Sequence, residues 1–164
     1  MILQTNHFFA DTITINDYDE IMTLYNTNTE FLEKHLGLTQ ISYDWLASEL
    51  ESMKEIDFIT YKIVDCNSGK ILGILDCKPD IETYLSILIL HKDCKGRGIG
   101  SHFLEAFFTY LKANGTISVR IDVVTGYNPA VINFWKKHGF QIEKEIKLDW
   151  NNNTLPALTM KKYL

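Results

Sequence analysis

Three glycines at alternate positions, Gly96, Gly98 and Gly100, stand between a basic residue, Lys95, and a hydroxyl, Ser101. Such a run does its chemistry with the main chain. Glycine reaches positive φ at no steric cost and has no Cβ to hold a ligand away from the backbone. Ahead of the run, Leu85 to Leu90 is aliphatic and reads as a strand; behind it, Ile99 to Ala113 reads as a helix. A strand, a glycine turn and a helix N-terminus together offer free N–H groups and the positive end of a helix dipole, an arrangement that holds a phosphate. The dipole contributes only about 0.3–1 kcal/mol, so charge-assisted backbone hydrogen bonds carry most of the grip.

Spacing narrows the choice of phosphate. A nucleotide-binding P-loop ends in Gly-Lys-Ser/Thr, whereas Gly100 is followed by Ser101-His102. A dinucleotide fold needs its third glycine three residues after the second, and Gly100 follows Gly98 by two. What remains, Lys95 to Gly100, reads basic-x-x-Gly-x-Gly. It resembles the pyrophosphate loop of the GNAT superfamily of acyl-CoA-dependent N-acyltransferases, with Lys95 where that family usually has Gln or Arg and Arg97 keeping a second basic group nearby. A second segment, Asn128-Pro129-Ala130-Val131-Ile132-Asn133-Phe134-Trp135-Lys136-Lys137-His138-Gly139-Phe140, resembles the family's other signature, an Asn opening a helix that ends in Gly-Phe.

The resemblance implies an α+β GNAT fold, a central and mostly antiparallel sheet with one splayed parallel strand pair, flanked by helices. It implies acetyl-CoA as cosubstrate and transfer of the acetyl group to a primary amine of a small molecule or peptide, by direct attack in a ternary complex. Backbone groups of Leu88, Ile89 and Leu90 would pair with the extended pantetheine arm as an added strand does. The pyrophosphate would lie on N–H groups of Lys95, Gly96, Arg97, Gly98, Ile99, Gly100 and Ser101. Asn128 would contact the cofactor while capping its own helix.

An alkylammonium of pKa near 10.4 must lose a proton before it attacks, at a cost of about 4.6 kcal/mol at neutral pH. A base or a water relay is therefore expected. Glu82, just before the central strand, is the leading expectation, with Tyr84 beside it and Asp76 on the neighbouring strand as alternatives. Trp135 is a departure, because many relatives carry there a Tyr that protonates the leaving thiolate, and an indole N–H cannot act as an acid near neutrality. A thiol of pKa near 8.5 is already a fair leaving group. Trp135 can still pack against the sulfur, and Tyr127 is the candidate substitute acid. The acceptor site is expected between Thr27 and Tyr43 and between Trp150 and Leu155, with Glu30, Glu33, His35, Tyr43 and Trp150 as candidate lining. Two other readings remain open: a non-catalytic acyl-CoA-binding sensor, which Trp135 favours, and an unrelated α+β interaction domain.

Composition bounds the function. A chain of 164 residues with 46% hydrophobic and 23% charged residues is expected to fold as a single domain, 1–164. A net charge of −5 with no basic run argues against nucleic acid as a partner and is compatible with a cationic substrate. No secretory leader and no apolar run of about 20 residues stands out, so no membrane association and a cytoplasmic location are expected. Cys66, Cys77 and Cys94 are expected as reduced thiols; no metal-ligand spacing occurs among them. Cys94, in the phosphate loop, reads better as an ordinary reduced thiol than as an acyl carrier.

The remaining elements follow from periodicity and caps. Thr12 to Ile15 alternates as a first strand, Asn16-Asp17 caps a helix to Tyr25, Gly37 ends a helical turn, and Ser42 caps a helix through Met53. Phe58–Asp65 and Lys70–Lys78 read as a hairpin leading into the central strand. Thr116–Val124 follows the buried helix, and Phe140–Trp150 with Leu155–Leu164 closes the chain as a hairpin around Asn151 to Thr154. Exposed edges of that last hairpin can pair between chains, and relatives are often dimers, so a homodimer is compatible with the sequence.

Overall fold

A computed structural model describes all of residues 1–164. The strands are β1 (Leu3–Gln4), β2 (Phe8–Thr12), β3 (Ile59–Asp65), β4 (Ile71–Lys78), β5 (Glu82–Leu90), β6 (Ser118–Val124), β7 (Gln141–Trp150) and β8 (Asn153–Tyr163). The helices are α1 (Tyr18–Asn26), α2 (Thr29–Leu36), α3 (Tyr43–Glu55), α4 (Ile99–Ala113) and α5 (Pro129–Lys137). All strands lie in one sheet, ordered β1-β2-β3-β4-β5-β6-β8-β7, in which only the β5–β6 pair is parallel. This is the α+β GNAT-type sheet that the motifs imply.

The two faces are covered by different helices. Ile21, Leu24, Leu32, Leu46 and Leu50 of α1–α3 pack on Ile74, Ile87 and Ile89 of the sheet. On the opposite face, Phe103, Leu104 and Phe107 of α4 and Trp135 of α5 pack on Leu75, Leu85, Val119 and Ile121. Fully burying a side chain of this size stabilises by roughly 1.5–3 kcal/mol. The glycine turn is therefore mounted on a firmly anchored helix.

One expected strand is displaced. The alternation at Thr12 to Ile15 predicts a strand, but β2 ends at Thr12 and Ile15–Asp17 forms a single 3₁₀ turn. Phe8 and Ala10 are buried while Ile15 is 68% exposed, so the earlier pair wins the sheet. Asp17 fixes the turn, its carboxylate accepting from Thr14 N and from Lys62 Nζ of β3, each at 2.7 Å. The C-terminal hairpin closes more tightly than expected, through Asn151 and Asn152 alone, with φ of 47° and 61°. Two positive φ values in a two-residue loop match the twist of the flanking strands.

The feature that creates a site is a bulge. Along β4 and β5 the register runs Asp76 opposite Ile87, then Cys77 opposite Leu85, so Ser86 is an extra residue in β5. Bulges bend a strand and reverse which face its side chains take. Leu85 accordingly packs toward α4, whereas Ile87 and Ile89 pack toward α1–α3. Parallel pairing of β5 with β6 stops at Tyr84 opposite Arg120, and beyond that point the strands part.

Candidate active site

Where β5 and β6 part, a cleft of about 1090 Å³ opens, running from the glycine turn to the ends of α3 and β7. Backbone groups face into it from both strands. His91 N donates to Leu72 O, which makes Leu90 and Leu88 non-hydrogen-bonded partners of β4 and turns their N–H and C=O groups toward the gap. By the same parity Ile89 spends its N–H and C=O on β4. The expectation of three ligand-facing backbone residues is thus corrected to Leu88 and Leu90, with Ile89 lining the cleft only. Leu90 O is itself taken by Asn28 Nδ2 at 3.0 Å, so Leu88 offers both groups and Leu90 its N–H.

At the other end, Gly96 and Gly98 both adopt positive φ, 71° and 79°. The first hydrogen bond of α4 runs from His102 N to Gly98 O, leaving the N–H groups of Gly98 to Ser101 without an intrahelical partner. A Cβ built on Gly100 would come into van der Waals contact with Leu90 at 3.4 Å and Phe134 at 3.6 Å, so helix, strand and α5 meet here. Ser101 Oγ and His138 Nε2, 3.0 Å apart, tie the α4 N-terminus to the end of α5. Lys95, Gly96, Gly98, Ile99, Gly100 and Ser101 line the cleft, while Arg97 is exposed and does not. Burial lowers the pKa of the Lys95 ammonium against a weaker pull from Glu30. An anion beside it would offset that desolvation.

Asn128 caps α5, accepting from Ala130 N at 3.0 Å, and lines the cleft. Trp135 is 8% exposed and lines it too, edge-on to Phe134 and Phe140. Tyr127 joins them, its hydroxyl pushed up to about 12 by burial and by Glu30, so it stays protonated at neutral pH.

Away from the glycine turn the cleft continues into a second arm. Phe31 and His35 of α2, Glu49, Ser52 and Met53 of α3, Phe58, Tyr84, Asp122, and Leu148 to Trp150 line it. Trp150 Nε1 donates to Glu49 Oε1 at 3.0 Å, bracing β7 against α3. Among the residues lining the whole cleft the only lysines or arginines are Lys95 and Lys137; the second arm carries Glu49, Asp149 and Asp122, the last paired with Arg120 at 2.7 Å. Of the acceptor-side candidates, Glu30, His35 and Trp150 reach the cleft, and Glu33 and Tyr43 do not. The contribution of α3 lies outside the expected segments; an amphipathic helix with Glu49 at its edge gives no local signal of a pocket.

Glu82 is placed elsewhere. It opens β5 opposite Ser118, where β5 and β6 are still paired, and does not line the cleft. Its carboxylate pairs with Lys161 of β8 and accepts from Ser118 Oγ at 3.2 Å, and these contacts hold its pKa down. A base must reach the amine's proton directly or through one water. The expectation for Glu82 is corrected on that ground. Glu82→Gln is expected to leave the pH profile of turnover unchanged, which a steady-state pH series checks. Asp76 is also outside the cleft lining, fully buried behind the bulge. Tyr84 lines the arm, its hydroxyl raised by burial. Cys94 is buried with its thiol raised by burial, which keeps it from acting as a thiolate.

A parted parallel strand pair beside a glycine turn, with an exposed backbone edge leading from one to the other, defines the acyl-CoA-dependent acyltransferase class of α+β fold. The family model described as the acetyltransferase (GNAT) family matches residues 18–140, and the chain belongs to that family. Comparison with curated protein sequences gives no significant match. Similar solved structures include an acetyltransferase from Thermus thermophilus, at 20% identity and TM-score 0.72 over 96% of this chain and 97% of that one. A spermidine N-acetyltransferase from Vibrio cholerae, in complex with CoA and spermine, has 13% identity and TM-score 0.75 over 97% and 96% of the two chains. The ribosomal-protein-S18-alanine N-acetyltransferase from Escherichia coli has 14% identity and TM-score 0.67 over 95% and 93%. At these identities the likeness is one of fold.

Proposed function

We propose that residues 1–164 form one N-acetyltransferase domain that moves the acetyl group of acetyl-CoA to a primary amine within a ternary complex. The observation that carries this reading is the continuity of one cleft. Unpartnered N–H groups at the start of α4 suit a pyrophosphate, the free edge of Leu88 suits an extended amide-bearing arm, and an acidic, aromatic recess follows. Asp122 is neutralised by Arg120, but Glu49 and Asp149 have no cation beside them in that recess, which favours an ammonium over an acid as acceptor. Similar folds named as N-acetyltransferases of spermidine and of a ribosomal protein's alanine support an amine substrate. No helix is long and apolar enough to cross a membrane; the cofactor and the three free cysteines accord with a cytoplasmic enzyme.

In the proposed mechanism Gly98 to Ser101 and Lys95 hold the pyrophosphate, Leu88 pairs with the arm, and Asn128 supports it from the far wall. Trp135 packs against the thioester sulfur. The amine attacks from the second arm, forming a C–N bond as the C–S bond breaks, and Tyr127 donates its proton to the departing thiolate. Tyr127→Phe is expected to lower kcat by about 10²-fold, the low end for loss of a positioned acid, with acetyl-CoA affinity retained. Full activity in that variant would remove Tyr127 from the role.

The test is turnover of acetyl-CoA with a panel of alkyl diamines, amino-acid amides and short peptides with free N-termini, read as thiol release and as acetylated product by mass spectrometry. Equal amounts of free CoA and acetylated amine are expected with at least one of them. Tight acetyl-CoA binding with no transfer to any amine overturns the enzymatic reading and favours the acyl-CoA sensor, for which the replacement of the family's usual Tyr by Trp135 is the specific argument.

A further inference from the structure

The proton that leaves the amine needs an acceptor, and Glu82 does not reach the arm. Of the titratable groups that do, His35 is the one whose tautomer the geometry defines. His35 Nδ1 lies 3.1 Å from Phe31 O, one turn back on α2. A carbonyl only accepts, so Nδ1 carries the hydrogen, and in the neutral ring Nε2 is left with a lone pair. The ring lines the cleft, stacked on Phe31 at 4.2 Å and met edge-on by Tyr127 at 5.5 Å and Trp150 at 5.9 Å. Three aromatic neighbours and one hydrogen bond fix its orientation.

We propose that His35 Nε2 takes the proton from the acceptor ammonium. The inference rests on the acetyltransferase reading and adds to it the group that activates the amine. Imidazole is a weaker base than an alkylamine, so loss of the first proton is an unfavourable equilibrium that precedes attack and is drawn forward when the neutral amine forms the C–N bond and the adduct's nitrogen, now acidic, loses its second proton. Of the two protons the nitrogen loses, one leaves through Nε2 to solvent and the other replaces the proton that Tyr127 gives to the thiolate. The products are an amide, free CoA thiol and one released proton.

Burial lowers the pKa of His35 and outweighs the bond to Phe31, so the ring is neutral and ready at neutral pH. The charged or titratable groups lining the cleft around it are Glu30 of its own helix, Glu49 of α3, Asp149 of β7, Lys95 and Tyr127. None of them bonds to the ring, which leaves the imidazolium without a fixed partner.

The test joins nitrogen NMR of ¹⁵N-histidine protein, saturated with acetyl-CoA, to the kinetics of the fastest amine in the panel. His35→Gln identifies the resonance. The expected result is an Nδ1–H tautomer with bare Nε2 and a midpoint below about 6.5, mirrored by an acid limb in kcat. His35→Gln is expected to lower kcat by about 10²–10⁴-fold, to abolish that limb, and to leave the Kd for acetyl-CoA unchanged. An Nε2–H tautomer, or a His35→Gln enzyme that keeps the acid limb, overturns the proposal while leaving acetyl transfer intact. Absence of turnover with every amine overturns the acetyltransferase reading itself, and this role with it. Should the variant fail to fold, the wild-type titration decides: a tautomer or midpoint that disagrees with the acid limb excludes His35.

Discussion

Gly98→Asp is expected to bind acetyl-CoA at least about 100-fold more weakly than the wild-type protein, a loss of roughly 3 kcal/mol. Two effects act together. Gly98 sits at φ 79° as the residue that caps α4, a conformation that strains any side chain. The new carboxylate would also stand beside the unpartnered N–H groups, competing for them and repelling the pyrophosphate. Gly98→Ala separates the two, since it carries the strain without the charge and should lose much less affinity. The site of Gly98 is open, and a Cβ added there would meet nothing nearer than His102 Cε1 at 3.9 Å, so neither variant meets a steric block. Isothermal titration with both proteins checks the order wild type, Gly98→Ala, Gly98→Asp.

The Asp76 carboxyl is expected to cost stability progressively as pH rises from about 4 to 7, and Asp76→Asn to remove that cost. Asp76 is 2% exposed and its Oδ1 has no hydrogen-bond partner. Burial raises its pKa to about 7, against a weaker favourable bond from Thr60 and with a further push from Glu49. In the unfolded chain the same carboxyl titrates near 3.8. Through that window the unfolded state has lost the proton and the native state still holds it, so each rise in pH favours unfolding. Complete titration is worth on the order of 2–4 kcal/mol. Asp76→Asn should therefore come closest to the wild type near pH 4, where the unfolded carboxyl still holds its proton, and exceed it at pH 8, as urea unfolding at the two pH values would read. Equal pH dependence in both proteins would mean that the carboxyl is solvated in the native state.

The glycine turn and the Asn128-to-Phe140 helix are legible in the sequence because backbone geometry demands particular residues there: glycine at Gly96 and Gly98 for positive φ, Asn128 for a cap. The alternating strands and α4 follow from periodicity, with α4 ending at both limits where the pattern predicts. The bulge at Ser86 is not legible, since a lone serine in an aliphatic strand reads as one more alternation. Glu82 is misjudged for a topological reason. Insertion of β8 between β6 and β7 brings Lys161 to it, a neighbour from the far end of the chain that no local pattern reveals. The acceptor arm is hidden for the same reason, because α2, α3 and β7 each contribute a few residues that are ordinary on their own elements. His35 is visible as a candidate, but its tautomer depends on Phe31 O and its setting on Tyr127 and Trp150.

The most direct test of the account is a crystal structure of the protein grown with acetyl-CoA. The pyrophosphate is expected on the N–H groups of Gly98 to Ser101, the pantetheine arm paired with Leu88 between β5 and β6, and the acetyl group facing His35 and Tyr127. A cofactor bound elsewhere, or a gap between the strands that stays closed to the arm at saturating acetyl-CoA, would contradict it.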